Sequence, residues 1–208
     1  MPRRKPSPSP DTRSRILATA AEEFGARGFA ATTVDRIARR ARVNKAMIYY
    51  HFPNKRALYT TIVREHFTPI VEKLAAITAR RGPADRQLDV LIKTLVESID
   101  ASTHFLPIFL REIADGAVHL GADELALLAG IFGTVRTVIA EGTTQKVFQP
   151  IHPALAHFTI IAPVIMFRAT APVRARIEAT RGVVIPDADP STVVKHLQMV
   201  ARRMLARE

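Results

Sequence analysis

The chain contains no cysteine, which excludes disulfides and thiolate metal sites and is compatible with a reducing cytoplasm. It has no hydrophobic run of membrane length. The longest nearly apolar stretch, 155–167, is interrupted by His157 and Pro163 and falls short of the roughly 20 residues a spanning helix needs. The basic start, MPRRKPSPSP, has no apolar segment behind it and does not read as a signal peptide. These absences together point to a cytoplasmic protein with no membrane partner. Enzyme machinery is missing too: there is no GxSxG, no phosphate-cradling glycine loop and no HExxH. The histidines (51, 66, 104, 119, 152, 157 and 196) are scattered without metal-ligand spacing. Neither a cofactor nor a metal is expected. No alternating strand pattern and no repeat of solenoid period is visible, so the fold class is all-α.

What is present is charge, unevenly placed. The formal net charge is +11; residues 1–56 hold thirteen Lys/Arg against four Asp/Glu, whereas 57–208 hold seventeen against fifteen. A cationic first quarter followed by a nearly neutral remainder suits a phosphate backbone, whose condensed counterions it would release, or an anionic membrane surface. With 48% hydrophobic residues, most of the chain can bury a core. Residues 1–10 read as a flexible basic arm, proline alternating with serine around Arg3, Arg4 and Lys5, either reaching toward DNA or inert.

Helical periodicity then runs through the chain. A first helix is expected over 11–27, ended by Gly28. A second is expected over 34–40, with Thr33 as N-cap and Asp35 in its first turn. After a break at 41–43, Asn44 caps a third over 45–51, which Phe52-Pro53 ends. Asn54 opens a fourth that runs to about 80, with Pro69 inside. Further helices are expected over 83–101, 104–115, 123–141, 153–170 and 190–207. Residues 171–190 read as a loop, with a helical piece around 174–179 as the alternative. The organisation is thus an arm over 1–10, a helix-turn-helix domain over 11–56 and a larger helical domain over 57–208.

Residues 33–52, TVDRIARRARVNKAMIYYHF, place two short helices about a tight turn behind a supporting helix, the arrangement that puts its second helix in the major groove of duplex DNA. At 100° per residue Ile48 and Phe52 face the core, while Ala46 and Tyr50 point away, flanked by Met47 and Tyr49. Lys45 starts this helix, where backbone N–H groups attract phosphate.

The segment TTVDRIARRARVNKAMIYYHFPNKRALY, with AAEEFGARGF before it, resembles the DNA-binding region of TetR-family transcriptional regulators. The most specific part is IYYHFPNKRAL, 48–58. The resemblance implies a phosphate bond from Thr33, base contacts from Lys45 and Ala46, contacts from Tyr49, Tyr50 and His51, and a phosphate held by Lys55. Asn44 joins this set at the helix start. Arg42 stands where the family commonly has glycine, adding a cation at a turn that suits positive φ. Met47 replaces a common Ser or Thr and offers apolar contact, for example to a thymine methyl. For the tyrosines and His51, packing competes with a contact role.

The resemblance also implies a homodimer joined through about 153–170 and 190–207, reading an inverted-repeat operator. It further implies a small-molecule effector held in the larger domain, for which His104, Phe105, Phe109, Phe132 and Met166 are candidates. Their character suggests an apolar or aromatic ligand that releases a repressor. The alternatives are an architectural protein that coats DNA by charge, a regulator without a ligand, and an enzyme fused to a DNA-binding head.

Overall fold

The computed structural model describes residues 10–101 and 104–207; the expected basic arm lies almost wholly outside the described residues. Ten helices are present among them: α1 (Pro10–Ala31), α2 (Val34–Arg40), α3 (Lys45–His51), α4 (Lys55–Ala79), α5 (Ala84–Asp100), α6 (Phe105–Ala114), α7 (Ala122–Thr144), α8 (Pro153–Ala169), α9 (Ala171–Arg181) and α10 (Pro190–Leu205). They form two compact units. The first comprises the described residues up to His66 with His104–Glu124; the second comprises Phe67–Thr103 and Leu125–Glu208. Beside an 11–56 head, the first unit therefore also holds the start of α4 and all of α6.

Local chemistry accounts for the element ends. Gly28 breaks α1 with φ 77°, a left-handed conformation that a residue without Cβ adopts at little cost. Thr33 caps α2 by accepting from the Arg36 N–H at 3.3 Å, and Asn44 caps α3 by accepting from the Met47 N–H at 2.7 Å. Asn54 accepts from the Ala57 N–H at 2.8 Å ahead of α4. Each cap satisfies one of the N–H groups a helix start leaves orphaned.

The first unit packs α6 and α2 on α1, and α3 on α2. Its core includes Ile16, Phe24, Ile37, Ile48 and Leu58, each at most 1% exposed. The Phe24, Phe29, Tyr59 and His119 rings pack together. Tyr59 donates to Glu112 at 2.6 Å, with His119 Nδ1 2.7 Å from the same carboxylate oxygen. Burial, reinforced by that carboxylate, pushes the Tyr59 hydroxyl well above the usual phenol range.

In the second unit α5 buries Leu88, Leu91, Ile92, Leu95 and Val96 at helical spacing, and α8 and α10 pack on it and on each other. Gln149 ties the chain ahead of α8 to the end of α10 through its backbone N–H on the Leu205 carbonyl, 2.9 Å. Helix α7 is long and apolar enough by length and composition to cross a membrane. Its Ile131, Val135, Val138 and Ile139 are buried.

Residues 171–181 form a full helix, where the sequence reads as a loop or, alternatively, as one carrying a helical piece around 174–179. No residue of α9 is buried, so it lacks the apolar stripe that marks a helix in sequence. Pro172 near its start and left-handed Gly182 at its end bound it. Arg174 holds it down, donating to the Phe167 carbonyl and to Asp187 and lying 4.2 Å over the Phe167 ring.

Candidate nucleic-acid interface

Helix α3 buries Ile48 and turns its opposite side outward: Tyr50 is 70% exposed and Tyr49 45%. Asn44, Lys45 and Ala46 are exposed at its start and Met47 is half-buried. Thr33 and Arg42, at the two ends of α2, are exposed as well. These side chains occupy one continuous stretch of the helix-turn-helix. His51 is placed differently: it is half-buried, edge-on to Tyr50 at 5.1 Å, and its Nε2 is buried without a hydrogen-bond partner.

The turn between α2 and α3 depends on Arg42. Its φ is 53°, its N–H donates to the Arg39 carbonyl, and the following Val43 N–H donates to that of Ala38. This is a Schellman ending with an arginine at the position that favours glycine. Arg15 braces it by donating from Nε to the Ala41 carbonyl at 3.0 Å.

Arg36 and Arg40 serve packing between α1 and α2. Glu23 of α1, 1% exposed, takes Arg36 Nε on one oxygen and Arg40 Nη1 on the other, both at 2.5 Å. Arg27 lies 3.5 Å away, and Arg40 also reaches Glu22 at 2.9 Å. Burial by itself would raise the Glu23 pKa, but the hydrogen bonds from Arg40 and Arg36 outweigh it and hold the carboxyl below its usual range. The signal in the sequence is the i, i+4 pair of arginines opposite Glu22-Glu23.

Two lysines have intramolecular partners. Lys45 pairs with Asp35 at 2.9 Å, whose hydrogen bond and charge raise its pKa. Lys55 donates to the carbonyls of Phe29 at 2.9 Å and Thr32 at 3.1 Å and lies 4.2 Å over the Phe29 ring. These two bonds occupy two of the three N–H donors of its ammonium.

The effector candidates fall in both units. In the first, His104 is exposed, Phe105 is buried and stacked 3.7 Å from His66, and Phe109 is half-buried beside Phe105. In the second, Met166 is 54% exposed on α8, and Phe132 is half-buried 5.2 Å from His157. His157 was not among the expected residues, yet its Nδ1 is buried without a hydrogen-bond partner. Among the described residues no group of three His, Asp or Glu is placed to hold a metal.

Comparison with known proteins agrees with this geometry. Residues 16–62 match the family model described as bacterial regulatory proteins, tetR family. The repressor KstR2 of Rhodococcus jostii is 33% identical over 125 residues, 57% of this chain and 59% of that protein, so the chain aligns with less than two thirds of that relative's length. The solved structure of the ketosteroid transcriptional regulator KstR2 of Mycobacterium tuberculosis superposes with a TM-score of 0.77 at 17% identity, over 99% of this chain and 100% of that one. FadR of Bacillus subtilis, solved in complex with stearoyl-CoA, gives 0.71 at 16% identity, over 92% and 98%. At such identities the structures establish the shared fold.

Proposed function

We propose that the chain, whose residues 16–62 match the tetR family model, is a cytoplasmic homodimeric TetR-family repressor that reads an inverted-repeat operator and is released by a small apolar or aromatic ligand. The observation that carries this reading is the outward face of α3: Tyr50 at 70% exposure, on a helix anchored by buried Ile48 and capped by Asn44. Large exposed aromatics on a short braced helix suit base and backbone contact in a major groove better than they suit solvent.

The dimer rests on α8 and α10. Leu155 is 63% exposed, Phe158 62% and Met166 54%, at helical spacing along one side of α8, and Met199 of α10 is 43% exposed. A contiguous apolar face of this kind is what a second copy would cover. Two heads in a symmetric dimer would meet successive major grooves about 34 Å apart. For the ligand, the reading rests on apolar surroundings near Phe132 with the unpartnered Nδ1 of His157. The acyl thioester bound by a protein of the same fold is in keeping with it.

The test is a fluorescence-anisotropy titration against DNA flanking the coding region, with scrambled competitor. One fragment should bind far more tightly than the competitor, and Tyr50→Ala should abolish that preference. Equal binding to all DNA, unchanged in the variant, sinks the reading in favour of an architectural protein. Sedimentation of Phe158→Glu addresses the dimer; a variant that still sediments as a dimer refutes the α8 face.

A further inference from the structure

The basic head is less free than its composition implies. Among the described residues from 10 to 56, Arg13 pairs with Glu65, and Arg15 reaches Asp11 and the Ala41 carbonyl. Arg27, Arg36 and Arg40 converge on Glu23. Lys45 pairs with Asp35, Lys55 holds two carbonyls, and Arg56 donates to the Val118 carbonyl. The cations left uncommitted are Arg39 and Arg42, both exposed.

Helix geometry separates Arg39 from its neighbours. Arg36 and Arg40 are four apart and share one strip of α2, turned to Glu22 and Glu23 of α1. Asp35 and Arg39 are four apart and share the next strip. Its direction is fixed by Asp35, which accepts from the Nζ of Lys45, the first residue of α3. The Asp35–Arg39 strip therefore lies beside the start of the recognition helix, and the Arg36–Arg40 strip lies on the α1 side.

We infer that the Asp35–Arg39 strip of α2 is a second DNA-contacting element, in which Arg39 takes a backbone phosphate and Asp35 holds Lys45 so that its ammonium is yielded to a base acceptor rather than to any phosphate. The inference rests on the reading that α3 enters a major groove. While paired, Lys45 and Asp35 present no net charge, so duplex of arbitrary sequence gains nothing from Lys45. A guanine O6/N7 edge at the right step can replace the carboxylate as acceptor. Asp35 is thus a specificity determinant that works by penalising non-operator DNA, and Arg39 supplies sequence-independent hold.

The experiment measures the affinity of the full chain for its preferred fragment and for scrambled duplex across a salt series. Each phosphate neutralised contributes about 0.9 to the slope of log K against log salt. Arg39→Gln should make the slope shallower by about 0.9 per head on both DNAs. Asp35→Asn should steepen it on scrambled duplex by up to the same amount and narrow the preference for the operator about tenfold. Adding Lys45→Met to Asp35→Asn should return the slope to that of the wild type, which identifies Lys45 as the source of the gain. Arg40→Gln, whose charge Glu22 and Glu23 already neutralise, should leave the slope alone. Should Asp35→Asn melt early, Asp35→Ser replaces it in the same series. Slopes for Arg39→Gln and Asp35→Asn equal to wild type, in protein with unchanged circular dichroism, overturn the inference. A wild type with no preferred fragment overturns the repressor reading instead, while the slopes on scrambled duplex still test the strip.

Discussion

In the first unit a single buried carboxylate, Glu23, gathers Arg27, Arg36 and Arg40, and a second, Glu112, joins Tyr59 to His119. In the second unit, among the described residues, no fully buried carboxylate gathers several arginines: Arg202 pairs with Asp89, Arg168 with the part-buried Asp100, and Arg174 with the exposed Asp187. Its core is mostly aliphatic, with Phe67 and Phe148 buried beside the aliphatic side chains, and α8 still leaves Leu155, Phe158 and Met166 outside. The contrast teaches what each unit is built to do. A small unit has little apolar surface to bury, so the head fixes its helices with directional bonds and keeps a defined outer face for a polar partner. The second unit has apolar surface in excess of what its own fold covers, which suits a partner that covers it. If this is right, the head should be sensitive to loss of polar groups and the second unit to changes of volume.

The largest effect is expected in the second unit. A Cβ on Gly142 of α7 would lie 1.9 Å from the ring of Phe148, which is itself 3% exposed. Gly142→Ala should therefore destabilise by about 3 kcal/mol, the upper end of the usual cost of overpacking, because a packed ring has nowhere to move. Gly133, in the same helix, has nothing within 4 Å of the same construction. Gly133→Ala should stabilise by about 0.5–1 kcal/mol through helix propensity alone. Thermal melts of the two variants decide it. Equal shifts would mean that volume does not govern this unit.

Next comes acid sensitivity in the head. Burial lowers the pKa of His66 to about 4, against about 6.5 in an unfolded chain. The native state thus binds fewer protons than the unfolded one in that window. The contribution of neutral His66 is complete above pH 6.5 and is lost as pH falls toward 4, up to about 3 kcal/mol. His66→Phe keeps a ring against Phe105 and removes the titration, so its denaturation midpoint should change less between pH 7 and pH 4 than that of the wild type. Parallel curves would place the acid sensitivity elsewhere. Glu23 acts lower: its carboxyl sits below its ordinary value near 4.5, so what it contributes holds above 4.5 and fades only as pH falls further through its native value.

Glu23→Gln is the direct test of the polar design. It leaves Arg36 and Arg40 without their buried charge partner, but both guanidinium groups reach water, which limits the loss to about 1–2 kcal/mol. Urea melts should show the loss. A null result would mean that α2 is held by its buried Val34, Ile37 and Ala38.

The same contrast explains what was legible in the sequence. The bounds of α2 and α3 follow from Thr33, Asn44 and Pro53, residues whose chemistry acts within one turn of chain. The core of α5 follows from its period. The chain bears out the family resemblance in its fold, and the outward placement of Tyr49 and Tyr50 agrees with the helical wheel. Helix α9 was legible only as an alternative, a short piece around 174–179, because it buries nothing. The partners of Lys55 and Arg36 were illegible because a cation reads alike whether it meets a phosphate or a carbonyl 23 residues away. Pairing is a tertiary fact, and composition alone counts every arginine as free.

Arg42 gives the smallest effect and the sharpest form of the comparison, because fold and binding pull on it in opposite directions. At φ 53° an arginine carries left-handed strain of about 1 kcal/mol, part of which glycine returns as extra freedom in the unfolded chain. Arg42→Gly should therefore stabilise the head by roughly 0.5 kcal/mol, a shift of a few degrees at most. It also removes one of the two uncommitted cations, so it should weaken DNA binding uniformly across sequences and make the salt slope shallower by about 0.9 per head. A variant that is more stable and binds DNA less well would show that this turn accepts backbone strain in exchange for a phosphate contact. If stability rises and binding is unchanged, Arg42 is a solvated residue and Arg39 alone carries the free charge of α2. If stability falls, the Schellman turn depends on the arginine side chain, and the head is held by more than the caps and ion pairs described above.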